Sequence, residues 1–214
     1  MLSNAPIVLK GGLVLLDAAT GTVLRVIPLQ YNPESVSRTF QIHAIGGDQT
    51  DRSEAFRLKG PSVETIKLDA ELDATDQLEV VNTTIAEVGL QAHLATLELM
   101  IQPTSAQLEA NNALAGAGTL EILPMEMPLL VFVWSKFRVT PVRLTDFSIT
   151  EQAFDPNLNP IQAKVSLGMR VLNVNDVGFD NKAGRLFMTY LRTKEQLSQL
   201  APNGTLSGLG ITGI

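Results

Sequence analysis

A long alternation of apolar and charged residues between Arg57 and Asp76 constrains the fold of this chain more than any other feature. The apolar positions are Ile66, Leu68, Ala70 and Leu72, and the positions that alternate with them are Thr65, Lys67, Asp69, Glu71 and Asp73. Because successive side chains of a β-strand point to opposite faces of the sheet, this pattern predicts a strand with one apolar and one charged face. Such a strand covers a core on one side and meets water or a solvated channel on the other.

The length of 214 residues fits one domain with an appended helix and tail. We predict a β domain with a packed helix over residues 1–178, a C-terminal helix over residues 179–201 and a flexible, Gly-rich tail over residues 202–214. The expected fold class is mainly β with α, because strand patterns outnumber helical ones along the sequence.

Composition narrows the classes of partner. The formal net charge is −6 and no basic cluster stands out. This disfavours nucleic acid as a partner, because no lysine or arginine cluster would replace the counterions of its phosphates. The absence of cysteine excludes disulfides and thiolate metal sites. The longest apolar run, Leu129–Trp134, is far shorter than the about 20 residues that a membrane helix needs, so we expect no membrane insertion. The first residues lack a signal-peptide pattern, which favours the cytoplasm.

Strands are also predicted before the long alternation. Two apolar runs, Leu13–Leu16 and Val23–Ile27, flank Asp17–Gly21 and predict a hairpin with a glycine at its turn. A second alternating set over Val36–Ala44 predicts another strand. The polar segment Gly46–Ser53 is typical of a surface loop.

Helical spacing appears in the middle of the chain. Leu90, Leu94, Leu97 and Ile101 recur at intervals of three and four, which predicts an amphipathic helix that stops before Pro103. The Ala- and Asn-rich segment from Thr104 to Gly118 has room for one short helix after Ser105.

The second half returns to the strand pattern and then ends in a helix. Strands are predicted over Leu129–Trp134, Phe137–Leu144, Thr145–Phe154 and Ile161–Val171, with a turn at Asp155–Pro160. Thr145, Phe147 and Ile149 are expected on one face. Asp180 is expected to cap the last helix, Asn181 to Leu200. Its apolar side consists of Leu186, Phe187, Tyr190, Leu191 and Leu197.

Motifs for chemistry are weak. Gly208–Gly213 matches the spacing of a dinucleotide-binding fingerprint, but only one residue follows it in this sequence, so the helix that must carry the phosphate cannot form. The two histidines, His43 and His93, lie in no catalytic or metal-binding motif. The carboxylates of the alternating strand project in parallel, which favours a solvated face over a weak divalent site. We therefore expect that the protein is not an enzyme and that it binds neither a cofactor nor a metal ion.

An ordered set of segments carries a family resemblance. The segments are Gln30–Ser35, Lys59–Pro61, Ile66–Asp76, Leu94–Glu98, Gln102–Pro103, Pro128–Trp134, Arg143–Glu151 and Ala153–Val165. In this order and spacing the chain resembles the tube proteins of contractile injection systems, which are phage-tail-like particles, over about residues 5–200. The resemblance implies a β-barrel or sandwich with a packed helix, whose copies form a hexameric ring with strands paired laterally into a tubular sheet.

The resemblance also implies partners. Longer members of the family start the tube as an adaptor between the trimeric spike and the first ring of tube subunits. The expected partners are a homo-oligomeric ring, the inner tube protein, the spike or hub protein and other baseplate proteins. The residues expected at subunit or partner interfaces are Lys59, Gly60, Pro61, Lys67, Asp69, Glu71, Asp73, Phe154, Asp155, Pro156, Asn157, Asn159 and Pro160.

Alternatives remain at this stage. A bulk inner-tube subunit or a phage tail tube protein has the same pattern, and copy number per particle separates either from the adaptor. A small-molecule-binding or hydrolytic β-barrel and a free-standing interaction module are further alternatives. In the favoured interpretation the protein assembles in the cytoplasm into a phage-tail-like particle, and two outcomes stay open, release on lysis of the cell or retention inside it.

Overall fold

The computed structural model describes residues 8–44, 57–75, 83–116 and 127–213. The strands are β1 (Gly12–Leu16), β2 (Val23–Pro28), β3 (Val36–Gln41), β4 (Val63–Asp73), β5 (Leu129–Ser135), β6 (Arg138–Phe154) and β7 (Pro160–Val171). The helices are α1 (Thr83–Val88), α2 (Gln91–Glu98), α3 (Ser105–Gly116), α4 (Val174–Val177) and α5 (Lys182–Gln199), followed by a 3-10 helix at Leu206–Leu209. The fold is mainly β with α, as the sequence predicts.

The strands form one antiparallel sheet in the order β2-β1-β5-β6-β7-β4-β3. The sheet curls strongly. Four strands separate β2 from β4 in the sheet order, yet Gln30, just after β2, is hydrogen-bonded to the backbone of Asp73 in β4. Curling encloses one main core that contains side chains of β1, β4, β5, β6 and β7 together with helix α2. Leu13, Ile66, Phe132 and Met169 lie at its centre.

Helix α5 joins the main core to a second, smaller one. Its residue Phe187 belongs to the main cluster, whereas Ala183 packs with Leu16, Leu129 and Val131 from the other face of β1 and β5. The helix begins after Asn181, whose side-chain oxygen accepts a hydrogen bond from the backbone N–H of Ala183. The predicted cap at Asp180 is therefore wrong by one residue, because asparagine at the next position supplies the acceptor.

Strand predictions are confirmed in the hairpin β1–β2, in β3 and in the long alternation of β4. The two strands predicted at Phe137–Leu144 and Thr145–Phe154 are one strand, β6, of 17 residues. A bulge between Leu144 and Asp146 leaves Thr145 exposed and out of register with Phe147 and Ile149, which pack against the main core. The bulge shifts the alternation by one residue, so Thr145 does not share their face.

Helix predictions are also largely confirmed. Leu90, Leu94 and Leu97 are buried, but α2 ends at Glu98, so Met100 enters the core and Ile101 remains exposed. The segment with room for a short helix after Ser105 forms α3, a helix of 12 residues that buries no side chain. At the C-terminal end of α5, Leu197 is exposed rather than part of the apolar side. The predicted loop at residues 46–53 lies outside the described residues, as does Asp76.

Candidate assembly surface and buried ion cluster

The charged side of β4 lies on the outside of the curled sheet. Ile66, Leu68 and Ala70 are buried, whereas Lys67, Asp69 and Glu71 are exposed. The two-faced strand predicted from the alternation is thus confirmed, with its charged residues facing solvent.

Polar residues continue this face across two more strands. The register aligns Asp69 with Ser166 and Ser148, Glu71 with Lys164 and Thr150, and Asp73 with Gln162 and Gln152. We call these nine residues of β4, β7 and β6 the polar ladder. Each row of three runs across the sheet, so the ladder is a hydrophilic wall rather than a pocket with converging groups.

Two carboxylates of the polar ladder, Asp69 and Asp73, are held ionised. Ser166 Oγ donates a 2.6 Å hydrogen bond to Asp69 Oδ1, and Lys164 Nζ lies 3.5 Å from Asp69 Oδ2. The hydrogen bond from Ser166 is the main reason that the pKa of Asp69 lies below its usual value. The Thr75 hydroxyl lowers the pKa of Asp73 in the same way, and Gln162 adds a 2.8 Å bond. Groups of this kind are poor general acids near neutral pH, because they hold no proton there.

The β6–β7 hairpin loop is organised by one carboxylate. Asp155 accepts hydrogen bonds from the backbone N–H groups of Asn157 and Asn159, at 2.7 and 2.8 Å, and from the side-chain amide of Asn159. The bonds from Asn159 are the main reason that the pKa of Asp155 is lowered. Leu158 has a φ of 66°, a left-handed conformation that the bonds around it hold in place.

The same loop fastens helices α1 and α2 to the sheet. Asn159 donates from its side chain to the carbonyl of Glu87, and the N–H of Leu90 donates to the carbonyl of Pro160. Asn159 and Pro160, both candidate interface residues, are buried within the chain, so their side chains do not reach the surface. Phe154, Pro156 and Asn157 are exposed, and an interface at this hairpin stays a prediction for them.

The turn at Lys59, Gly60 and Pro61 precedes β4. The N–H of Lys59 donates to the carbonyl of His43, which ties the turn to the end of β3. A β-carbon on Gly60 would lie 2.7 Å from the side-chain nitrogen of Asn175 in α4, so glycine permits this close packing. Only Lys59 of the three is fully exposed, and its role as a contact residue stays a prediction.

The two end strands of the sheet, β2 and β3, expose apolar side chains. On β2, Val23, Leu24 and Val26 are each more than half exposed. In β3, Phe40 is 45% exposed, and Ile42, the residue just after the strand, is 70% exposed. Soluble monomers usually place charges, prolines or covering segments at sheet edges, because an open edge pairs readily with another strand.

A buried ion cluster lies between β3, β4 and α5. Glu64, only 3% exposed, accepts a 2.6 Å bond from Arg38 Nε and a 2.9 Å bond from Lys194 Nζ. The hydroxyl of Tyr190 donates to Glu64 at 3.1 Å and accepts from Arg38 at 2.8 Å. The ring of Phe40 lies about 5 Å from both cations, as measured to its centroid. The cluster therefore connects the last turns of α5 to the end strand of the sheet.

The cluster keeps its charges despite burial. Burial alone would raise the pKa of Glu64, but the hydrogen bonds from Arg38 and Lys194 outweigh it, and the pKa is lowered. Burial, aided by the charge of Glu64, raises the pKa of Tyr190 to about 12. Burial also lowers the pKa of Lys194, although Glu64 opposes that change. The hydroxyl of Tyr190 thus stays protonated and able to donate.

One residue of this cluster, Glu64, could have been recognised from the sequence, because it interrupts the apolar face of β4. Glu64 has the same parity in β4 as Ile66 and Leu68, so it falls on the apolar face. A carboxylate in that position predicts a buried cationic partner, because an unpaired buried charge is too costly. The partners Arg38 and Lys194 are 26 and 130 residues away, and spacing alone does not identify them.

Comparisons with known proteins add little to this geometry. No family model matches the chain, and no curated protein matches it. Among solved structures, a chain from the virion of a native gene transfer agent particle is similar, with a TM-score of 0.27 and 13% sequence identity over 75% of this chain and 90% of that chain. A superposition this loose assigns neither fold nor function.

Among the described residues, no helix is both long and apolar enough to cross a membrane. The same part of the chain contains no group of three or more histidine or acidic side chains placed to hold a metal ion.

Proposed function

We propose that this chain is a structural, non-catalytic subunit of a phage-tail-like particle of the contractile injection type. Copies form a ring, proposed to be a hexamer, that joins the spike or hub to the inner tube and starts tube assembly. The proposal rests on the ordered sequence resemblance and on one structural observation, the exposed apolar side chains along both end strands of the sheet.

The end strands favour a ring for a geometric reason. The edge of β2 differs from the edge of β3, so pairing one with the other in a second copy is a head-to-tail contact. Head-to-tail contacts build closed rings when the rotation between copies divides a full turn. In a closed ring every end strand is paired with a strand of the next copy. Ring closure therefore removes the open strand edges at which other chains could pair.

The polar ladder fits such a ring as a hydrated wall. It presents carboxylates, hydroxyls and amides in rows and leaves no apolar patch for a further layer. A surface of this kind suits a water-filled lumen or a polar contact between rings. In both cases the ionised state of Asp69 and Asp73 supports a role in contact or lining rather than in proton transfer.

Native mass spectrometry and electron microscopy of the purified protein test the proposal. We expect rings, and about one ring of copies in each purified particle. Many rings per particle would identify the bulk tube subunit instead. A protein that stays monomeric and never copurifies with tail-like particles would overturn both readings.

A pair of edge variants sharpens this test. Leu24→Lys combined with Val26→Lys places two charges on the edge of β2 and should abolish rings while leaving the monomer folded, since lysine is a common protection of strand edges. The control is Leu200→Lys combined with Leu209→Lys, which puts the same two charges at exposed leucines beyond α5. Rings that survive the edge variant would place the contact elsewhere.

A further inference from the structure

A cavity of about 400 Å³ opens between the sheet and helix α2. Its floor is formed by Ala70 of β4 and by Val165 and Leu167 of β7, and Leu97 of α2 forms one wall. The opposite wall is the end of β2 and the segment that follows it, including Ile27. The volume lies within the range of about 300–1,000 Å³ typical of small-molecule sites.

Charge at the rim of the cavity is one-sided. Lys10, Arg25 and His93 are exposed and line it, and none of the described residues that line it is acidic. The whole chain has 22 acidic and 16 basic residues, so an all-basic rim runs against the overall balance. An anionic group at this position would meet two positive charges, those of Arg25 on β2 and of Lys10 just before β1.

Arg25 is already held at the rim. Its Nη1 donates a 3.1 Å hydrogen bond to Thr96 Oγ1 on α2, and the same hydroxyl donates to the carbonyl of Ala92. The bond joins the end strand to the helix across the opening. It also leaves the remaining N–H groups of the guanidinium available for a planar carboxylate, which arginine recognises with two parallel bonds.

We propose that this cavity binds a single-chain amphiphile with a carboxylate head group. The apolar chain lies along Ala70, Val165 and Leu167, and the carboxylate meets Arg25 and Lys10 at the rim. Closed β-barrels of about eight strands have an interior wide enough to be filled by side chains or to hold one small ligand. The site belongs to the single subunit, so the proposal does not depend on ring formation.

Calorimetric titration of the full chain with dodecanoate, below its micelle concentration, tests the site. We expect saturable 1:1 binding. Dodecyltrimethylammonium, which has the same chain and the opposite charge, should bind at least about tenfold more weakly, and acetate, which lacks the chain, should not bind measurably. Equal affinity for the two amphiphiles, or no binding of dodecanoate, would overturn the proposal.

Two variants test the two halves of the site. Arg25→Gln should weaken dodecanoate binding about tenfold or more, as loss of a charge-assisted bond does. The control Lys136→Gln removes an exposed cation that does not line the cavity and should leave binding unchanged. Ala70→Leu should block the chain by filling the floor.

A spectroscopic measurement keeps the test decisive if Ala70→Leu fails to fold. In methyl NMR spectra of the unmodified chain, dodecanoate should shift the resonances of Val165 and Leu167 before other methyl groups. Shifts confined to exposed leucines, such as Leu158 and Leu200, would show adsorption to the surface and contradict binding in the cavity.

Discussion

The side-chain amide of Gln30 takes the place of a neighbouring strand for Asp73. Its Nε2 donates a 2.6 Å hydrogen bond to the carbonyl of Asp73, and its Oε1 accepts a 2.9 Å bond from the N–H of the same residue. An amide carries both a donor and an acceptor, so one side chain satisfies both backbone groups. This reciprocal pair holds the segment after β2 against the end of β4 and keeps the sheet curled.

Replacing Gln30 should therefore loosen the curl. Gln30→Ala leaves the two backbone groups of Asp73 without these partners, and we expect a loss of about 1–3 kcal/mol in the free energy of unfolding. Urea denaturation measures it. Gln152→Ala, an exposed glutamine on β6, is the matched control and should change stability by less than ~0.5 kcal/mol. Equal effects of the two substitutions would contradict this role of Gln30.

The buried ion cluster should be among the most sensitive positions in the chain. Glu64→Gln removes the charge that pairs with Arg38 and Lys194 and leaves two cations close together, and we expect a loss of about 3–5 kcal/mol. The control Glu71→Gln makes the same change on the polar ladder, where the side chain is exposed, and should cost less than ~0.5 kcal/mol. Thermal and urea unfolding of both variants provide the comparison.

Stability should fall with acid through the same carboxylate. The pKa of Glu64 is lower in the folded chain than in the unfolded one, so its contribution is complete above the unfolded value of about 4.3. The contribution is lost as the pH falls through the lower, folded pKa. Unfolding free energies measured from pH 6 to pH 3 should therefore converge for the unmodified chain and Glu64→Gln. A constant difference across that range would contradict the prediction.

Helix α5 should tolerate no side chain at its third residue, Gly184. A β-carbon on Gly184 would overlap the carbonyl oxygen of Gly178, because the helix begins tightly against the preceding turn. We expect Gly184→Ala to lower stability by about 1–3 kcal/mol, the usual cost of overpacking. Gly204→Ala is the control, since no atom lies within 4 Å of the added carbon. Circular dichroism melts distinguish the two.

Charge reversal on the polar ladder should separate folding from assembly. Asp69→Lys combined with Glu71→Lys changes exposed groups, so each substitution should alter monomer stability by no more than ~0.5 kcal/mol. If the ladder lines a lumen or a contact between rings, particle assembly or passage of cargo should fail. Native mass spectrometry and electron microscopy report the first, and an injection assay the second. Normal assembly with normal injection would exclude the ladder from both roles.

The alternation in β4 and β7 was sufficient to predict two-faced strands, because a period of two has one structural meaning. Local signals also predicted the β1–β2 hairpin and a helix around Leu94. The pairing of Gln30 with Asp73 was not predictable, since a polar residue after a strand has many possible partners. Thr145 was misplaced because a bulge inserts one residue without a mark in the pattern.

The exposure of the candidate interface residues was predictable only in part, for a similar reason. Alternation placed Lys67, Asp69 and Glu71 correctly on the outside, but no periodicity exists in a turn. Asn159 therefore gave no sign that its amide would be used inside the chain, bonded to Asp155 and to the carbonyl of Glu87. Buried polar side chains of this kind are determined by tertiary neighbours rather than by local sequence.

The 17-residue strand β6 has a consequence for any assembly that contacts the hairpin loop. At about 3.4 Å per residue the strand follows a path of roughly 55 Å, which begins at Arg138 and ends at Phe154 beside the hairpin loop. Arg138 lies close enough to Tyr190 and Lys194 of the buried ion cluster for its positive charge to favour a lower pKa of both. One continuous strand backbone therefore links the exposed hairpin loop, a candidate contact, to the region of the buried ion cluster.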